Sequence, residues 1–429
     1  MATKKPTPTL TPKLRFPEFR TNWVTQRLDA IAVPIAERVG SRSITPYTVT
    51  TGVGLVSQQD RYGRTIAGSS FKNYYVLRKN DFAYNKSATK AYPQGYIARF
   101  FGKEGAVPNS IFMCFRVDAD LVSPAYLDYL FTGNLHGRWL KRFIEVGARA
   151  HGSLNVDDAD VMSLPVPVPE GTSSTAEQRK IAECLKSLDE WIAAEGRKLD
   201  ALRAHEKGLM QNLFPREGET LPRFRFPKFR ESPEWTTIPL GKLFKTTSGG
   251  TPDRMKREYW NGTVPWITTS LVDFNVIQKA EEFITEVGLE SSAAKVFPRG
   301  TVLVALYGQG KTRGKVALLD IEAATNQACA AILPLKGFDP IFTFLSLSGR
   351  YKELRSLSNP GGQENLSQGL IRDLPFSYPD QPLERETIAA CLSSLNGVIA
   401  AQARKLESLR AHKKGLLQQL FPLPEANEQ

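Results

Sequence analysis

The chain has 429 residues, of which 41% are hydrophobic and 23% are charged, and it carries a formal net charge of +12. Such a composition is typical of soluble globular proteins, and the length allows two or three domains. The basic excess favours a polyanionic partner, with nucleic acid ahead of an acidic membrane surface. A basic protein with no such partner stays open as an alternative.

The cysteines and the hydropathy pattern exclude several other classes of protein. The four cysteines have no Cys-x-x-Cys spacing, which argues against a disulfide framework and against a zinc site. The N-terminus has no continuous apolar stretch of the kind a signal peptide needs, and the sequence has no run of about 18 apolar residues. We therefore expect an intracellular protein with no membrane span and no bound metal.

Residues 1–12 are rich in Pro, Thr and Lys and are predicted to be a flexible tail. The next segment, Leu-Arg-Phe-Pro-Glu-Phe-Arg at 14–20, has a near copy at 224–230, and a tryptophan follows each copy. We call this segment the Phe-Pro motif. Because it recurs in both halves, we expect it to pack against helix ends or a partner subunit and not to read sequence. Four tryptophans are predicted to be framework residues: Trp23, Trp235, Trp260 and Trp266.

Residues 13–170 are predicted to form a first mixed α+β domain. Short β-like runs alternate with Gly, Pro and Asn turns, and a helical region follows them. The predicted strands and helical region are Tyr47–Thr51, Tyr74–Leu77, Asp81–Tyr84, Tyr96–Phe100, Ile111–Val117 and Pro124–Phe143.

A long helix is predicted at 174–215. Its apolar residues recur in alternating steps of three and four over about four heptads, a pattern of helices that pack lengthwise against another helix. Ser174 and Glu177 are predicted to form a capping box at its start, and Pro215 ends the run.

The second half repeats this plan with largely different residues. A linker at 216–222 leads to a second mixed domain at 223–380, a second long helix at 383–422 and a tail at 423–429. The predicted strands and helical region of this domain are Val264–Thr268, Thr301–Leu306, Lys315–Leu319, Ala328–Leu333 and Phe338–Leu357.

The two long helices are copies of one another. Shifting the sequence by 207 residues aligns Arg-Lys-Leu at 197–199 with 404–406, and Leu-Phe-Pro at 213–215 with 420–422. We predict an α+β fold in which two globular domains are in pseudo-twofold arrangement, joined by two long helices that form an antiparallel coiled coil. The predicted seam is Ile181, Leu185, Leu188, Ile192, Leu199, Leu202, Leu209, Leu213, Ile388, Leu392, Leu395, Ile399, Leu406, Leu409, Leu416 and Leu420.

Polar residues occupy a few seam positions and predict the register of the pair. We expect Glu195 to lie near Lys413, and Glu206 to lie near Gln402, because a polar pair in an apolar seam fixes the alignment of two helices.

The globular bodies have diverged much more than the helices and the Phe-Pro motif. Two domains that recognise two different nucleic-acid sequences would need such divergence. Neutral sequence drift after a gene duplication would give the same pattern, and this alternative stays open.

Each globular domain carries short motifs of its own: Asn-Asp-Phe-Ala-Tyr-Asn-Lys-Ser at 80–87 with Pro-Gln-Gly at 93–95 in the first, and Ser-Gly-Gly-Thr-Pro at 248–252 in the second. With these motifs, the organisation resembles, over nearly the whole chain, the specificity subunit of type I DNA restriction–modification enzymes. The segment 80–87, followed by 93–95, is similar to one class of target-recognition domain. Ser-Gly-Gly-Thr-Pro at 248–252, followed by Tyr-Trp-Asn-Gly at 259–262 and Pro-Trp-Ile at 265–267, is similar to another. The Arg-Lys-Leu and Leu-Phe-Pro segments of both helices also fit this family.

The resemblance implies a non-catalytic DNA-recognition subunit. It implies that two target-recognition domains bind an asymmetric bipartite site in double-stranded DNA, with the helix pair as the spacer between them. It also implies two methylation subunits, which modify adenine N6 with S-adenosylmethionine that this chain does not bind, and two restriction subunits that can join them. Such a protein is expected in the prokaryotic cytoplasm, associated with the nucleoid.

DNA recognition needs cationic and amide side chains on loops that reach phosphates and base edges. Turn-rich stretches supply such residues in both halves, although a solvated surface charge stays open for each one taken alone. The candidates are Arg61, Arg64, Lys72, Lys86, Lys90, Tyr92, Gln94, Arg149, His151, Thr251, Arg254, Lys256, Arg257, Gln309, Lys311, Arg313, Gln363 and Asn365.

No catalytic motif is recognisable. The segment 308–312 resembles the end of a P-loop but lacks the earlier glycine, and 359–362 lacks the second proline and the aromatic residue of an amino-methyltransferase loop. Two other classes stay open: a two-headed DNA-binding scaffold without methylation partners, and an enzyme in its own right.

Overall fold

The computed structural model describes residues 10–50, 52–144, 154–307, 311–357 and 365–422. The chain divides into two compact units. Unit 1 comprises Met1–Gly196 and Arg404–Gln429, and unit 2 comprises Arg197–Ala403. Each unit mixes helices with antiparallel sheet.

Unit 1 contains ten strands and four short helices among its described residues, followed by the first part of a long helix, α5 (Ser174–Leu213). The strands are β1 (Trp23–Arg27), β2 (Ala32–Pro34), β3 (Tyr47–Thr50), β4 (Gly54–Ser57), β5 (Tyr75–Arg78), β6 (Phe82–Asn85), β7 (Tyr96–Arg99), β8 (Glu104–Val107), β9 (Phe112–Val117) and β10 (Pro165–Pro169). The short helices are α1 (Gln58–Tyr62), α2 (Pro124–Thr132), α3 (Leu135–Leu140) and α4 (Asp158–Met162).

Unit 2 contains eleven strands and five short helices among its described residues, followed by the first part of the second long helix, α11 (Pro382–Gln419). The strands are β11 (Thr236–Pro239), β12 (Thr246–Ser248), β13 (Trp260–Ile267), β14 (Asn275–Ile277), β15 (Glu282–Ile284), β16 (Val296–Phe297), β17 (Val302–Ala305), β18 (Val316–Leu319), β19 (Ala323–Thr325), β20 (Cys329–Ile332) and β21 (Pro375–Tyr378). The short helices are α6 (Leu240–Leu243), α7 (Glu286–Glu290), α8 (Pro340–Gly349), α9 (Tyr351–Ser356) and α10 (Gln368–Asp373).

The main sheets of the two units have the same strand order. In unit 1 the order is β2-β9-β6-β7, and in unit 2 it is β12-β20-β17-β18, with β14 added beside β18. Neighbours within each set of four are antiparallel. A two-stranded ladder also recurs, β1 with β10 and β11 with β21. The duplication therefore extends to the topology of bodies whose sequences differ.

Each main sheet is covered by a helix that starts with proline. Pro124 begins α2 and Pro340 begins α8, where the missing N–H is not needed and the fixed φ favours the first turn. In unit 1 the aromatic rings of Phe82 and Phe115 stack with centroids 5.3 Å apart, and Phe131 of α2 meets Phe82 edge-on. These rings form the centre of a buried core.

Each core also includes parts of both long helices. The core of unit 1 takes in Ile181 and Leu185 from the start of α5, and Leu416 near the end of α11 packs against it, as does Leu420 just beyond that helix. The core of unit 2 takes in Leu213 from the end of α5 and Leu392 from the first half of α11. Within each unit, the start of one helix therefore packs with the end of the other, as in an antiparallel pair.

All sixteen predicted seam residues are buried or half-buried. The least exposed include Leu185, Leu213 and Leu392, whose side chains are completely covered. Burial of a leucine side chain contributes about 1.5–3 kcal/mol, so the stripe is a main source of stability for both units.

The predicted register of the helix pair is wrong. In unit 1 the ammonium group of Lys413 binds the carboxylate of Asp189, and Lys405 binds Glu195. Glu195 was expected beside Lys413, so the observed alignment differs by about one heptad. The expected pairing of Glu206 with Gln402 stays a prediction; Gln402 is buried, and burial raises the pKa of the Glu206 carboxyl group.

The Phe-Pro motif packs against helix ends. In unit 1, Arg15 donates two hydrogen bonds to the carboxylate of Glu177 near the start of α5, at 2.7 and 2.8 Å. The backbone N–H of Leu14 donates to the carbonyl of Gln419 at the end of α11. The predicted capping box is therefore not formed: Glu177 binds Arg15, and the hydroxyl group of Ser174 accepts from Gln178.

The same contacts recur in unit 2. Arg225 donates to both carboxylate oxygens of Glu384, near the start of α11, and the N–H of Phe224 donates to the carbonyl of Asn212 near the end of α5. Trp235 donates from its indole nitrogen to Glu384 as well. Across the described residues, none of the helices is both long and apolar enough to cross a membrane.

Candidate nucleic-acid interface

In unit 2, the topology of the main sheet brings two of the predicted loops together. Strands β12 and β17 both run antiparallel to β20, which lies between them. They therefore finish at the same end of the sheet, which we call the loop end of unit 2. The segment 249–259 follows β12 there, and the segment 306–315 joins β17 to β18.

Close backbone packing fixes the first of these segments. A Cβ atom on Gly249 would lie 1.8 Å from the carbonyl oxygen of Thr325, and one on Gly250 would lie 2.3 Å from the backbone of Ala293. The Ser-Gly-Gly-Thr-Pro segment therefore needs both glycines to reach its neighbours. Thr251 then donates a hydrogen bond to the side-chain oxygen of Gln327, at 2.6 Å.

Arg254 is held by aromatic rings and a carboxylate. Its guanidinium carbon lies 3.8 Å from the ring centroid of Trp260 and 4.8 Å from that of Trp266, and it pairs with Glu282. Stacking of this kind contributes about 0.5–1 kcal/mol at exposed sites. Trp266 is buried and Trp260 half-buried, in keeping with their predicted role as framework residues.

The other predicted cations of unit 2 differ in exposure. Lys256, Arg257 and Lys311 are exposed at the loop end, and the ammonium group of Lys256 donates to the hydroxyl of Tyr259. The expectation that Arg313 is a surface cation is wrong, because its side chain is buried and donates to the carbonyl of Arg355. The exposed three can approach a phosphate, whereas Arg313 holds the loop to α9.

The main sheet of unit 1 has an equivalent loop end. Strand β6 finishes there, and residues 86–95 join it to β7. The N–H of Leu154 donates to the carbonyl of Lys86, just as the N–H of Leu366 in unit 2 donates to the carbonyl of Leu306. Leu154 and Leu366 therefore lie at the loop end of their units, and Asn365 is half-buried beside Leu366.

The four predicted residues of the 86–95 segment have different environments. Lys86 is held internally, since its ammonium group donates to the carbonyl of Val156 at 2.8 Å and to Asp158 at 2.7 Å. Lys90 is exposed, whereas Tyr92 and Gln94 are half-buried. Lys90 is therefore the cation of this loop that is best placed for a phosphate.

Residues of the Asn-Asp-Phe-Ala-Tyr-Asn-Lys-Ser and Pro-Gln-Gly segments shape this loop from within. The buried hydroxyl of Tyr84 donates to the carbonyl of Gln94, and its burial raises the pKa of the phenol. Gly95 adopts a φ of +82°, and a Cβ there would lie 2.5 Å from the carbonyl of Asn85. His136 packs against Tyr84 with Nε2 3.3 Å from the carbonyl of Gly95, and burial lowers the pKa of its imidazole to about 4.

The remaining predicted residues of unit 1 lie on a separate segment. Arg61 belongs to α1, Arg64 follows it, and Lys72 lies on a 3-10 helix at Ser69–Asn73; all three are exposed. This segment packs against the β5–β8 ladder through apolar residues that include Phe71. Four predicted residues lie outside the described part of the chain: Arg149, His151, Gln309 and Gln363.

One residue at the loop end of unit 2 was missed by sequence reasoning. Met255 lies between Arg254 and Lys256, and 89% of its surface is exposed. The signal was present in the sequence, as a lone apolar residue within Arg-Met-Lys-Arg. In the described ranges, no cluster of three His, Cys, Asp or Glu residues has the arrangement of a metal site.

Comparison with known proteins gives consistent matches. Residues 233–411 match the family described as the type I restriction modification DNA specificity domain. The chain is 26% identical over 181 residues to the type I restriction enzyme MjaIX specificity subunit of Methanocaldococcus jannaschii, covering 41% of each chain. It is 25% identical over 205 residues to the EcoR124I/EcoR124II specificity subunit of Escherichia coli, covering 46% of this chain and 47% of that one. These alignments span less than half the length of both curated relatives.

Solved structures match over nearly the full length. One, from a study of complex assembly and conformational transition of the type I R-M system, has a TM-score of 0.60 at 16% identity and covers 94% of this chain and 99% of the other. The crystal structure of a type I restriction-modification S subunit from M. genitalium has a TM-score of 0.55 at 17% identity and covers 96% and 99%. The predicted fold class, with two mixed domains and two long helices, is confirmed.

Proposed function

The chain belongs to the family of type I restriction–modification specificity subunits, and from this premise we propose that it recognises an asymmetric, bipartite sequence in double-stranded DNA. Unit 1 binds one half of the target and unit 2 binds the other half, each through the loop end of its main sheet. The chain itself performs no chemistry; its partner subunits do.

One observation carries this proposal: the two units share a sheet topology but place different side chains at the loop end. Unit 1 has Lys90 and Gln94 there, whereas unit 2 has Thr251, Arg257 and Lys311. Cationic side chains bind phosphates of any sequence, while amide and hydroxyl groups distinguish base edges in the major groove. Equivalent scaffolds with unlike contact residues support the recognition of two unlike half-sites.

We propose that the long helices set the distance between the two half-sites. Each is a single helix, of 40 residues in α5 and 38 in α11, and each has residues in both units. One added helical turn lengthens a helix by about 5.4 Å, which is comparable with the ~3.4 Å step between base pairs. Insertions in both helices should therefore lengthen the unspecified spacer of the target.

We propose two methylation subunits as partners, with two restriction subunits able to join them. The repeated helices and the repeated Arg15 and Arg225 contacts give the chain two similar surfaces, which support two copies of one partner. The methylation subunits bind S-adenosylmethionine and modify adenine N6 after flipping the base out of the duplex. Such a complex works on DNA in the prokaryotic cytoplasm and nucleoid.

Methylome sequencing tests this function directly. The chain is expressed together with a methylation subunit in a host that lacks N6-adenine methylation of its own. We expect one new methylated motif made of two short defined blocks separated by a fixed unspecified spacer. A continuous motif contradicts the proposal that the target is bipartite. Methylation by this chain without a partner contradicts the proposal that the chain is non-catalytic.

Exchanging the globular domain of one unit tests which block of the motif each unit recognises. Replacing residues 233–380 by the corresponding segment of another specificity subunit should change one block of the motif and leave the other block and the spacer unchanged. If both blocks change, the assignment of one half-site to each unit is wrong. If the chain binds DNA but never co-purifies with a methylation subunit, it is a DNA-binding scaffold of another kind.

A further inference from the structure

Met255 is the most exposed large apolar side chain among the described residues of the chain, with 89% of its surface in water. It lies at the loop end of unit 2, and the residues on either side are cationic: Arg254 before it, Lys256 and Arg257 after it. A side chain of this size loses about 1.5–3 kcal/mol of favourable free energy when it stays in water instead of being buried. Contact with an apolar surface of a partner would recover this free energy.

The loop around Met255 is held in place by its own hydrogen bonds. The N–H of Met255 donates to the carboxylate of Asp253 at 2.9 Å, and the carbonyl of Asp253 accepts from the indole of Trp260 at 3.1 Å. Pro252 of the same loop is buried, and Thr251 donates a hydrogen bond to Gln327. The backbone that leads into Met255 is therefore anchored.

The nearest aromatic surface is already occupied. The guanidinium group of Arg254 covers the rings of Trp260 and Trp266, which form a small apolar cluster with Val264 and Ile284. Met255 belongs to none of the apolar clusters of the described residues. An outward-pointing side chain on an anchored loop is ready to contact a partner without rearrangement.

We propose that Met255 inserts between two base pairs of the half-site bound by unit 2 and partly unstacks them. This inference rests on the proposed function, and it identifies a residue that selects an easily deformed base step. Apolar wedges, methionine among them, act in this way in proteins that bind the minor groove, where they unstack a base step and kink the duplex. Arg257 and Lys256 would bind the phosphates on either side, and pyrimidine–purine steps would be favoured because they unstack at lowest cost.

The experiment uses the full chain assembled with its methylation subunits and the target obtained from the methylome. Duplexes carry the fluorescent base 2-aminopurine at one position after another through the half-site assigned to unit 2. Flipping of the target adenine by the methylation subunit raises fluorescence at that base in every variant. We expect a second several-fold rise, at a step away from the flipped adenine, with the wild type and with Met255→Leu, and not with Met255→Ala. Met255→Ala should also weaken binding about tenfold, since it loses one buried apolar side chain.

Val276→Ala is the matched control. Val276 is an exposed apolar residue on β14, in the same unit but on a strand, so its truncation should change neither fluorescence nor affinity. Thermal unfolding of every variant establishes that the fold is intact. Leucine has nearly the apolar volume of methionine, so Met255→Leu should keep the fluorescence rise and the affinity that Met255→Ala loses. That difference would distinguish an apolar wedge from a general loss of loop structure.

Three outcomes overturn the proposal. One is wild-type binding to the target with no fluorescence change at any step of this half-site other than the flipped adenine. Another is unchanged affinity in Met255→Ala. The third is a Met255→Ala variant that loses association with the methylation subunit but not with DNA, which would make this residue a protein contact. Failure of the proposed function is distinguishable, because the wild-type complex would then show no sequence-specific binding at all.

Discussion

The guanidinium group of Arg225 donates two hydrogen bonds, of 2.7 and 2.8 Å, to the carboxylate of Glu384 at the first turn of α11. Arg15 and Glu177 form the same pair, with the same two distances, at the first turn of α5. Both carboxylates are buried. The paired residues are far apart in sequence, so each pair fastens the Phe-Pro motif of its unit to the helix that follows the globular body.

We predict that Glu384→Gln lowers the free energy of unfolding of unit 2 by about 3 kcal/mol, because it leaves the buried charge of Arg225 without a counter-charge. Denaturant unfolding followed by tryptophan fluorescence measures the loss, and Trp235 reports on this site because it donates to the same carboxylate. Glu177→Gln should cost less, since the side chain of Arg15 is 16% exposed and that of Arg225 only 9%.

Glu386→Gln provides the control for this measurement. Glu386 lies two residues further along α11 and is exposed, so loss of its charge should change the stability by less than about 0.5 kcal/mol. Equal losses in Glu384→Gln and Glu386→Gln would mean that the Arg225–Glu384 pair stabilises unit 2 no more than any negative charge near the start of α11 does.

The observed register of the helix pair predicts which charge exchange is tolerated. Lys413→Glu should lower the stability by about 1 kcal/mol, because it faces Asp189, and the double variant with Asp189→Lys should recover most of it. The double variant of Lys413→Glu with Glu195→Lys should not recover, since the partner of Glu195 is Lys405. A double-mutant cycle on unfolding free energies measures both couplings, and recovery with Glu195→Lys would restore the register expected from the sequence.

The register could not be predicted from the sequence for a physical reason. A heptad stripe presents apolar residues every seven positions, so two alignments one heptad apart bury the same kinds of side chain. The polar residues within the stripe were used to choose between them. The observed partners of Glu195 and Lys413 are Lys405 and Asp189, which lie outside the apolar stripe. The direction of the helices, which depends on the whole stripe, was predicted correctly, because the structure packs the start of each with the end of the other.

Most strands of the two main sheets were predicted to within about two residues, because short apolar runs between turns leave few alternatives. The predicted strand at Thr301–Leu306, for example, is observed as Val302–Ala305. The loop contacts were less predictable. Lys86, Arg257 and Arg313 look alike in sequence, yet one is ion-paired, one exposed and one buried. Only the tertiary packing of each loop distinguishes them.

Gly249 should tolerate no side chain. Because a Cβ there would lie 1.8 Å from the carbonyl oxygen of Thr325, Gly249→Ala requires a shift of the backbone, and we expect a cost of about 3 kcal/mol. Gly397→Ala is the matched control: Gly397 lies within α11 with no atom within 4 Å of the added Cβ, so alanine should stabilise by about 0.5–1 kcal/mol. Thermal unfolding compares the two, and a neutral Gly249→Ala would refute this account of the Ser-Gly-Gly-Thr-Pro segment.

His136 makes the stability of unit 1 depend on pH. Its ring is completely buried between Tyr84 and Phe131, with Nε2 beside the carbonyl of Gly95. Burial disfavours the imidazolium and lowers the pKa of the side chain from 6.5 to about 4. In the folded state His136 is therefore neutral over most of the range in which the unfolded chain would take up a proton.

The sign of the effect follows from proton uptake. Above a pH of about 6.5 neither state binds the proton, so the stability does not depend on this group; below it the unfolded state gains the proton first. We expect the free energy of unfolding to fall by about 2 kcal/mol between about pH 7.5 and pH 5 on account of His136 alone.

His136→Gln should remove the part of the pH dependence of the unfolding free energy that comes from this imidazole. His205→Gln, at an exposed position on α5, should leave the slope unchanged. Denaturant unfolding at a series of pH values measures all three proteins, and equal slopes would show that the pKa of His136 is not lowered in the folded chain.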